Sequence, residues 1–142
     1  GFEIRTDLRY ALGDHLWVEQ RDGRIRVGMD PLGVETSGTL AQVAFAEPGA
    51  QVARGDAVGS IEAEKFVGPI VAAVSGTVVA VNTALLADPG LIERDPYGAG
   101  WLYELDPSDP DEVAALLAGD AVVADAFEKK VRHYRLEGIL AE

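Results

Sequence analysis

The chain has 142 residues, a formal net charge of -12 and no cysteine, and 48% of its residues are hydrophobic. This composition predicts one globular domain over residues 1–142 and excludes disulfides, thiolate metal sites and cysteine nucleophiles. The acidic balance argues against nucleic acid or an anionic membrane as a partner, and no segment has the pattern of a membrane span or a signal peptide. We therefore expect a cytoplasmic protein.

Residues 15–80 are rich in Val, Ile and Gly, and short apolar runs alternate with turn residues, which predicts many short strands. The tripeptide Arg21-Asp22-Gly23 between two alternating segments indicates a β-hairpin. Residues 37–43 resemble residues 75–81 at a spacing of 38 residues. This repeat predicts two similar β units that pack face to face around a pseudo-twofold axis.

The last part of the chain predicts two helices. Ser108 or Asp109 is a suitable N-cap for the first, and Gly119 is its natural end. The second is predicted over about residues 121–137, because apolar residues recur there at helical spacing. Its apolar stripe consists of Val123, Phe127, Val131 and Tyr134. We expect this helical extension to cover about residues 108–138.

Only three lysines occur in the chain, and two of them fall in the last predicted helix. The third, Lys65, lies in an acidic stretch, since residues 30–128 contain 17 acidic residues and three basic ones. Apolar runs at residues 58–61 and 70–74 flank it, which predicts a position near the tip of a β-hairpin. From composition alone the favoured interpretation is a solvated lysine, but a lysine on a rigid turn also suits a covalent arm.

Several motifs accompany this lysine in a set order. They are Arg9-Tyr10, His15-Leu16-Trp17-Val18, Val27-Gly28-Met29-Asp30, Gly55-Asp56-Ala57-Val58-Gly59-Ser60-Ile61-Glu62, Val74-Ser75-Gly76-Thr77-Val78 and Asp95-Pro96-Tyr97-Gly98-Ala99-Gly100-Trp101-Leu102. Over about residues 7–125 they resemble the H protein of the glycine cleavage system, in the lipoyl-domain superfamily. The resemblance implies a mainly β, flattened barrel-sandwich hybrid with short helices and C-terminal helices, and a lipoate bound covalently to Lys65.

The resemblance also implies roles for residues near the lysine. The predicted recognition residues for the arm, and for the lipoate ligase or lipoyl transferase that attaches it, are Gly55, Glu62, Glu64, Phe66 and Gly76. The candidate residues of a groove for the arm are His15, Leu16, Trp17 and Pro69. A protein of this kind carries a cargo between enzymes, so we expect no catalytic residue and no metal site.

Two positions depart from the family motif and concern the cargo. Leu16 and Pro69 stand where the family has acids associated with a cationic aminomethyl cargo. Glu64 could replace one acid, and the chain would then serve glycine cleavage with its P, T and L proteins. Alternatively, Leu16, Phe66 and Pro69 make the groove apolar because the cargo is not a cation.

We favour the second alternative from the sequence. It resembles the H-like lipoate-binding proteins of the heterodisulfide-reductase-like sulfur-oxidation pathway, in which the arm is thought to carry sulfur between enzymes. The partners would then be the heterodisulfide-reductase-like complex and dihydrolipoamide dehydrogenase.

The predicted last helix also carries the basic residues Lys129, Lys130, Arg132, His133 and Arg135. We interpret them as a solvated helix face, with a docking surface for an acidic partner as the alternative.

Overall fold

The computed structural model describes residues 3–140, so the ends of the predicted domain, residues 1–2 and 141–142, lie outside the described residues. Within this range the strands are β1 (Arg9–Ala11), β2 (Leu16–Arg21), β3 (Arg24–Met29), β4 (Leu40–Phe45), β5 (Gln51–Val52), β6 (Ala57–Ala63), β7 (Val67–Val71), β8 (Gly76–Val81) and β9 (Tyr103–Pro107). They form two antiparallel sheets with the orders β1-β2-β3-β9-β8-β5 and β4-β6-β7. This arrangement confirms the predicted mainly β barrel-sandwich fold.

The turn at Asp22-Gly23 shows how local sequence sets the sheet register. Arg21 of β2 pairs with Arg24 of β3, which leaves a two-residue loop. Asp22 and Gly23 both have positive φ, 48° and 81°, as a tight turn between twisted strands requires. The predicted hairpin is confirmed. β4 and β8, which hold most of the two repeat copies, lie in different sheets.

Strand β2 divides the apolar interior into two clusters. Leu16 belongs to the larger cluster, between the sheets, and Trp17 belongs to a smaller one, because successive side chains of a strand point to opposite faces. The smaller cluster consists of Leu8, Tyr10, Trp17, Leu32, Val123, Phe127 and Leu140. The indole Nε1 of Trp17 donates a hydrogen bond to the carbonyl oxygen of Pro96 at 2.9 Å.

Five α-helices lie in the described range, and none of them is long and apolar enough to cross a membrane. They are α1 (Pro31–Ser37), α2 (Ala84–Ala87), α3 (Leu91–Arg94), α4 (Pro110–Ala114) and α5 (Asp120–Leu136). Helix α1 falls in the segment predicted as strands only, so that prediction was wrong there. The Asp30 side chain accepts a hydrogen bond from the Gly33 N–H at 2.8 Å, and Pro31 supplies a preset φ at the first position.

The two C-terminal helices follow the prediction with one correction. Asp109 caps α4 as expected, but the helix ends at Ala114 instead of Gly119. The reason is that Leu117 exchanges two backbone hydrogen bonds with Tyr10, at 2.9 and 3.1 Å, and so leaves helical geometry. Helix α5 begins at Asp120, one residue before the predicted start.

Helix α5 packs through its predicted apolar stripe. Val123 and Phe127 are buried, and Val131 and Tyr134 are half-buried against the smaller cluster. On the outer face, Lys129 pairs with Asp125 at 3.0 Å and Arg132 pairs with Glu128 at 3.1 Å. These exposed i,i+4 pairs support the interpretation of a solvated face.

The chain reverses after α5 at Gly138, whose φ of 75° favours glycine. The N–H groups of Ile139 and Leu140 donate to the Tyr134 carbonyl oxygen at 2.9 and 3.2 Å. Leu140 thereby returns to the smaller cluster, while Ile139 stays half exposed.

Candidate functional site: the Lys65 hairpin and its cavity

Lys65 lies at the tip of the β6–β7 hairpin, where the sequence places it. Its backbone N–H donates to the Ser37 carbonyl oxygen at 2.8 Å, and the Glu64 N–H donates to the Thr39 carbonyl oxygen at 2.9 Å. The segment after α1 therefore holds the tip from outside the hairpin. The Lys65 side chain is exposed and forms no ion pair with any other residue in the range 3–140. The result is a fixed pivot that presents an accessible amine.

A cavity of about 510 Å³ opens beside this tip. Lys65 itself lines it, and most of the other lining side chains are apolar. The apolar lining includes Leu16, Met29, Ile61, Phe66, Pro69, Ile70, Leu102 and Ile139. A cavity of this size and lining matches the usual dimensions of sites for small, mainly apolar groups.

The structure brings together three of the four candidate groove residues. His15, Leu16 and Pro69 line the cavity with Lys65, and so does the predicted recognition residue Phe66. Trp17 does not line it, because its side chain is buried in the smaller cluster on the other face of β2.

The remaining predicted recognition residues lie outside the cavity lining. Gly55 has a φ of 89° in the turn before β6, and a side chain at Gly76 would overlap the Asp106 carbonyl oxygen of the neighbouring strand. Glu62 and Glu64 are exposed. The Glu64 carboxylate lies over Gly38, such that a Cβ at Gly38 would be 2.6 Å from Glu64 Oε1.

His15 links the cavity to helix α5. It follows the 3-10 turn Leu12–Asp14 and has left-handed backbone angles, φ 57° and ψ 42°. Its Nε2 lies 2.9 Å from the Tyr134 hydroxyl, and its Nδ1 lies 3.6 Å from Asp30 Oδ1. Within residues 3–140, His15 Nδ1 and Asp30 Oδ2 are buried without a hydrogen-bond partner. Two buried polar atoms next to the cavity wall are therefore not hydrogen-bonded by the described residues.

Sequence reasoning did not assign Asp14, Tyr134 or Ile139 to the site. Asp14 and Ile139 line the cavity, and Tyr134 contacts His15. Tyr134 was assigned only to an apolar stripe, and the position of Ile139 depends on the reversal at Gly138, for which no local pattern exists. The one sequence signal for Asp14 was its position next to His15.

The charge of Asp14 also affects Tyr103, in strand β9 behind the cavity. Burial is the main cause that raises the pKa of Tyr103, and the negative charge of Asp14 raises it further. The Tyr103 hydroxyl accepts a hydrogen bond from the Ala73 N–H and donates one to the Val71 carbonyl oxygen, each at 2.9 Å. Val71 is itself a lining residue.

In the part of the chain that the structure describes, no group of three or more acidic or histidine side chains could hold a metal ion.

An exposed lysine on a fixed hairpin, beside a mainly apolar cavity, has the geometry that a covalently held arm needs. The sequence profile of the family described as Glycine cleavage H-protein matches residues 8–130. The chain is similar to the glycine cleavage system H protein of Mycobacterium leprae strain Br4923, with 41% identity over 125 residues that span 87% of this chain and 92% of the relative.

Two further comparisons agree. The probable glycine cleavage system H protein of Aeropyrum pernix is 36% identical over 129 residues, covering 91% of this chain and 90% of the relative. The crystal structure of a glycine cleavage system H protein from Mycobacterium marinum superposes with a TM-score of 0.68 at 40% identity, covering 74% of this chain and 87% of that chain. The chain belongs to the glycine cleavage H-protein family. Proteins of this family carry a covalently attached lipoate on a lysine and act as carriers rather than catalysts.

Proposed function

We propose that this chain is a lipoyl carrier with its arm on Lys65, and that it carries an aminomethyl group among the P, T and L proteins of glycine cleavage in the cytoplasm. The observation that carries the assignment of the lysine is its setting. Lys129 and Lys130 lie within helix α5. Lys65 instead projects from a hairpin tip anchored to Ser37 and Thr39, beside a cavity.

The residues present fit a lipoyl group. Such a group supplies a redox-active disulfide ring at the end of a long flexible hydrocarbon tether, and the tether raises the effective concentration of the ring at successive partner enzymes. Leu16, Phe66 and Pro69 offer the hydrocarbon an apolar wall. The hairpin tip fixes one end of the arm, so that the reach of the arm is set from a constant point.

The comparisons bear on the cargo. The matched relatives are named as glycine cleavage system H proteins, which favours the aminomethyl alternative, and they give no support to the sulfur-oxidation branch favoured from the sequence. One specific observation supports a sulfur cargo as the second candidate. Leu16, Phe66 and Pro69, the three apolar residues on which that hypothesis was based, do line the cavity.

The test begins with mass spectrometry of the protein from its native cells. We expect a lipoyl amide on the peptide that contains Lys65, and an aminomethyl adduct on it while glycine is being degraded. Extra sulfur on the arm would support the second candidate instead. An unmodified Lys65 in cells that use the pathway would contradict both.

Replacement of the lysine gives the corresponding functional test. We expect Lys65→Arg to abolish glycine-dependent turnover with the partner enzymes and to leave thermal unfolding unchanged, because arginine cannot form the lipoyl amide and the exposed side chain holds no fold contact. Lys129→Arg and Lys130→Arg are the matched controls and should keep full turnover. Turnover that survives Lys65→Arg would place the arm elsewhere.

A further inference from the structure

The charges around the cavity change when an arm is attached. Among the described residues that line it, Asp14 carries the only carboxylate and Lys65 the only ammonium group. An amide at Lys65 is neutral, so attachment removes the ammonium charge from the described lining and leaves the carboxylate of Asp14 there. A cargo with one positive charge would bring a cation back to the lining.

Asp14 is the carboxylate best placed to pair with a positively charged cargo. Within residues 3–140 it forms no ion pair. Neither Glu64 nor Asp30 belongs to the cavity lining: the Glu64 carboxylate lies over Gly38, and Asp30 caps α1 through the Gly33 N–H.

The backbone around Asp14 is also fixed. Asp14 is the last residue of the 3-10 turn Leu12–Asp14, and the His15 N–H closes this turn by donating to the Leu12 carbonyl oxygen at 3.2 Å. The contact between His15 and Tyr134 joins the same point to α5. Asp14 is therefore an exposed lining residue on a segment that is held on both sides.

We propose that Asp14 is a specificity-determining residue for the cargo: its carboxylate pairs with the ammonium group of an aminomethyl cargo and disfavours an anionic one. An ammonium group that is partly shielded by Phe66, Pro69 and Ile139 needs an opposite charge, whereas a deprotonated sulfur cargo would meet like charge. This inference rests on the proposed function and deepens it, because it selects between the two cargo candidates.

The test measures retention of the cargo without any partner enzyme. The lipoylated protein is reduced and loaded chemically. One arm thiol, formaldehyde and ammonium combine into a thioether-linked aminomethyl group with loss of one water, and spontaneous release is the reverse reaction. Formaldehyde alone adds to the thiol as a hydroxymethyl group, which is a neutral cargo of nearly the same size. Intact-protein mass spectrometry then follows the loss of each cargo with time, at low and at high salt.

We expect Asp14→Asn to release the aminomethyl group about three to five times faster than the wild type at low salt, which is the size of a partly screened ion pair. The difference should shrink at high salt, and release of the hydroxymethyl group should not change. Asp14→Glu keeps a carboxylate and should restore most of the retention. Glu35→Gln removes an exposed acid of α1 that lies outside the cavity lining, and it should behave as the wild type.

Equal release of the aminomethyl group from the wild type and Asp14→Asn would overturn the inference, and so would a change that affects both cargoes alike. Neither result would touch the proposed function, since loading here is chemical. The proposed function fails on a different observation, namely an unmodified Lys65 or the absence of glycine-dependent turnover.

Discussion

The loop of residues 95–101 and the cavity beside Lys65 differ in whether their polar groups form hydrogen bonds within the protein. In the loop, Asp95 Oδ2 accepts a hydrogen bond from the Ala99 N–H at 2.9 Å. The Asn82 side-chain amide donates to the carbonyl oxygens of Ala99 and Trp101 at 2.7 and 2.8 Å. At the cavity, by contrast, a ring nitrogen of His15 is buried without a partner among the described residues.

The two regions also differ in how far their apolar side chains are exposed. Trp17, which packs against the loop and donates to Pro96, is only 1% exposed, whereas Phe66 at the hairpin tip is 41% exposed and Ile139 is 51% exposed. The hydrogen bonds named for the loop are made within the protein and stabilise the fold. The exposed apolar side chains at the cavity leave surface that a ligand can cover. We therefore expect changes in the loop region to lower stability and changes at the cavity to alter cargo handling.

The largest effect should come from the paired changes Trp17→Ala and Phe66→Ala. We expect Trp17→Ala to lower the free energy of unfolding by about 3 to 5 kcal/mol, because it leaves a large void and an unpaired Pro96 carbonyl group. Phe66→Ala should change it by less than about 0.5 kcal/mol, since the ring is exposed. Urea unfolding followed by far-UV circular dichroism measures both. Comparable losses in the two variants would break the distinction between the regions.

The fold followed from the sequence where the signal is local. The Asp22-Gly23 turn, the cap at Asp109 and the stripe of α5 each depend on a few neighbouring residues, and each was found. Helix α1 was missed because Val- and Gly-rich sequence surrounds it, and the seven residues that follow its cap at Asp30 are too few to show a helical apolar period. The early end of α4 depends on Tyr10, which lies more than a hundred residues away along the chain.

The site divides in the same way. Lys65, Phe66, Leu16 and Pro69 were named from motifs, and all four line one cavity. Asp14 and Ile139 could not be found by the same route, because the cavity forms only when the 3-10 turn, the hairpin and the C-terminal reversal meet.

A smaller effect is expected from Tyr134→Phe, which removes the hydroxyl group 2.9 Å from His15 Nε2. One hydrogen bond contributes about 1 kcal/mol, so the free energy of unfolding should fall by about that amount. The ring signals of His15 in nitrogen NMR should change at the same time. Tyr97→Phe is the matched control in the loop region, where the hydroxyl groups of Tyr97 and Tyr10 are 2.8 Å apart. It should cost a similar amount and leave the His15 signals unaltered. An unchanged His15 signal in Tyr134→Phe would contradict the hydrogen bond that joins α5 to the cavity wall.

The smallest effect concerns the contact between Ser75 and Glu112, which lies outside both regions, and it appears as a pH dependence of stability. The Ser75 N–H donates to Glu112 Oε1 at 2.7 Å, and this hydrogen bond is the main cause that lowers the pKa of Glu112 below its ordinary value of 4.5. Because the folded pKa is lowered, the contact stabilises the fold above about pH 4.5, and this contribution is lost as the pH falls through the folded pKa. We expect the urea midpoint of Glu112→Gln to lie slightly below that of the wild type at neutral pH and to approach it in acid. If the difference in urea midpoint stayed constant with pH, the hydrogen bond would not depend on the charge of Glu112. The contact would then resemble the uncharged hydrogen bonds of the loop.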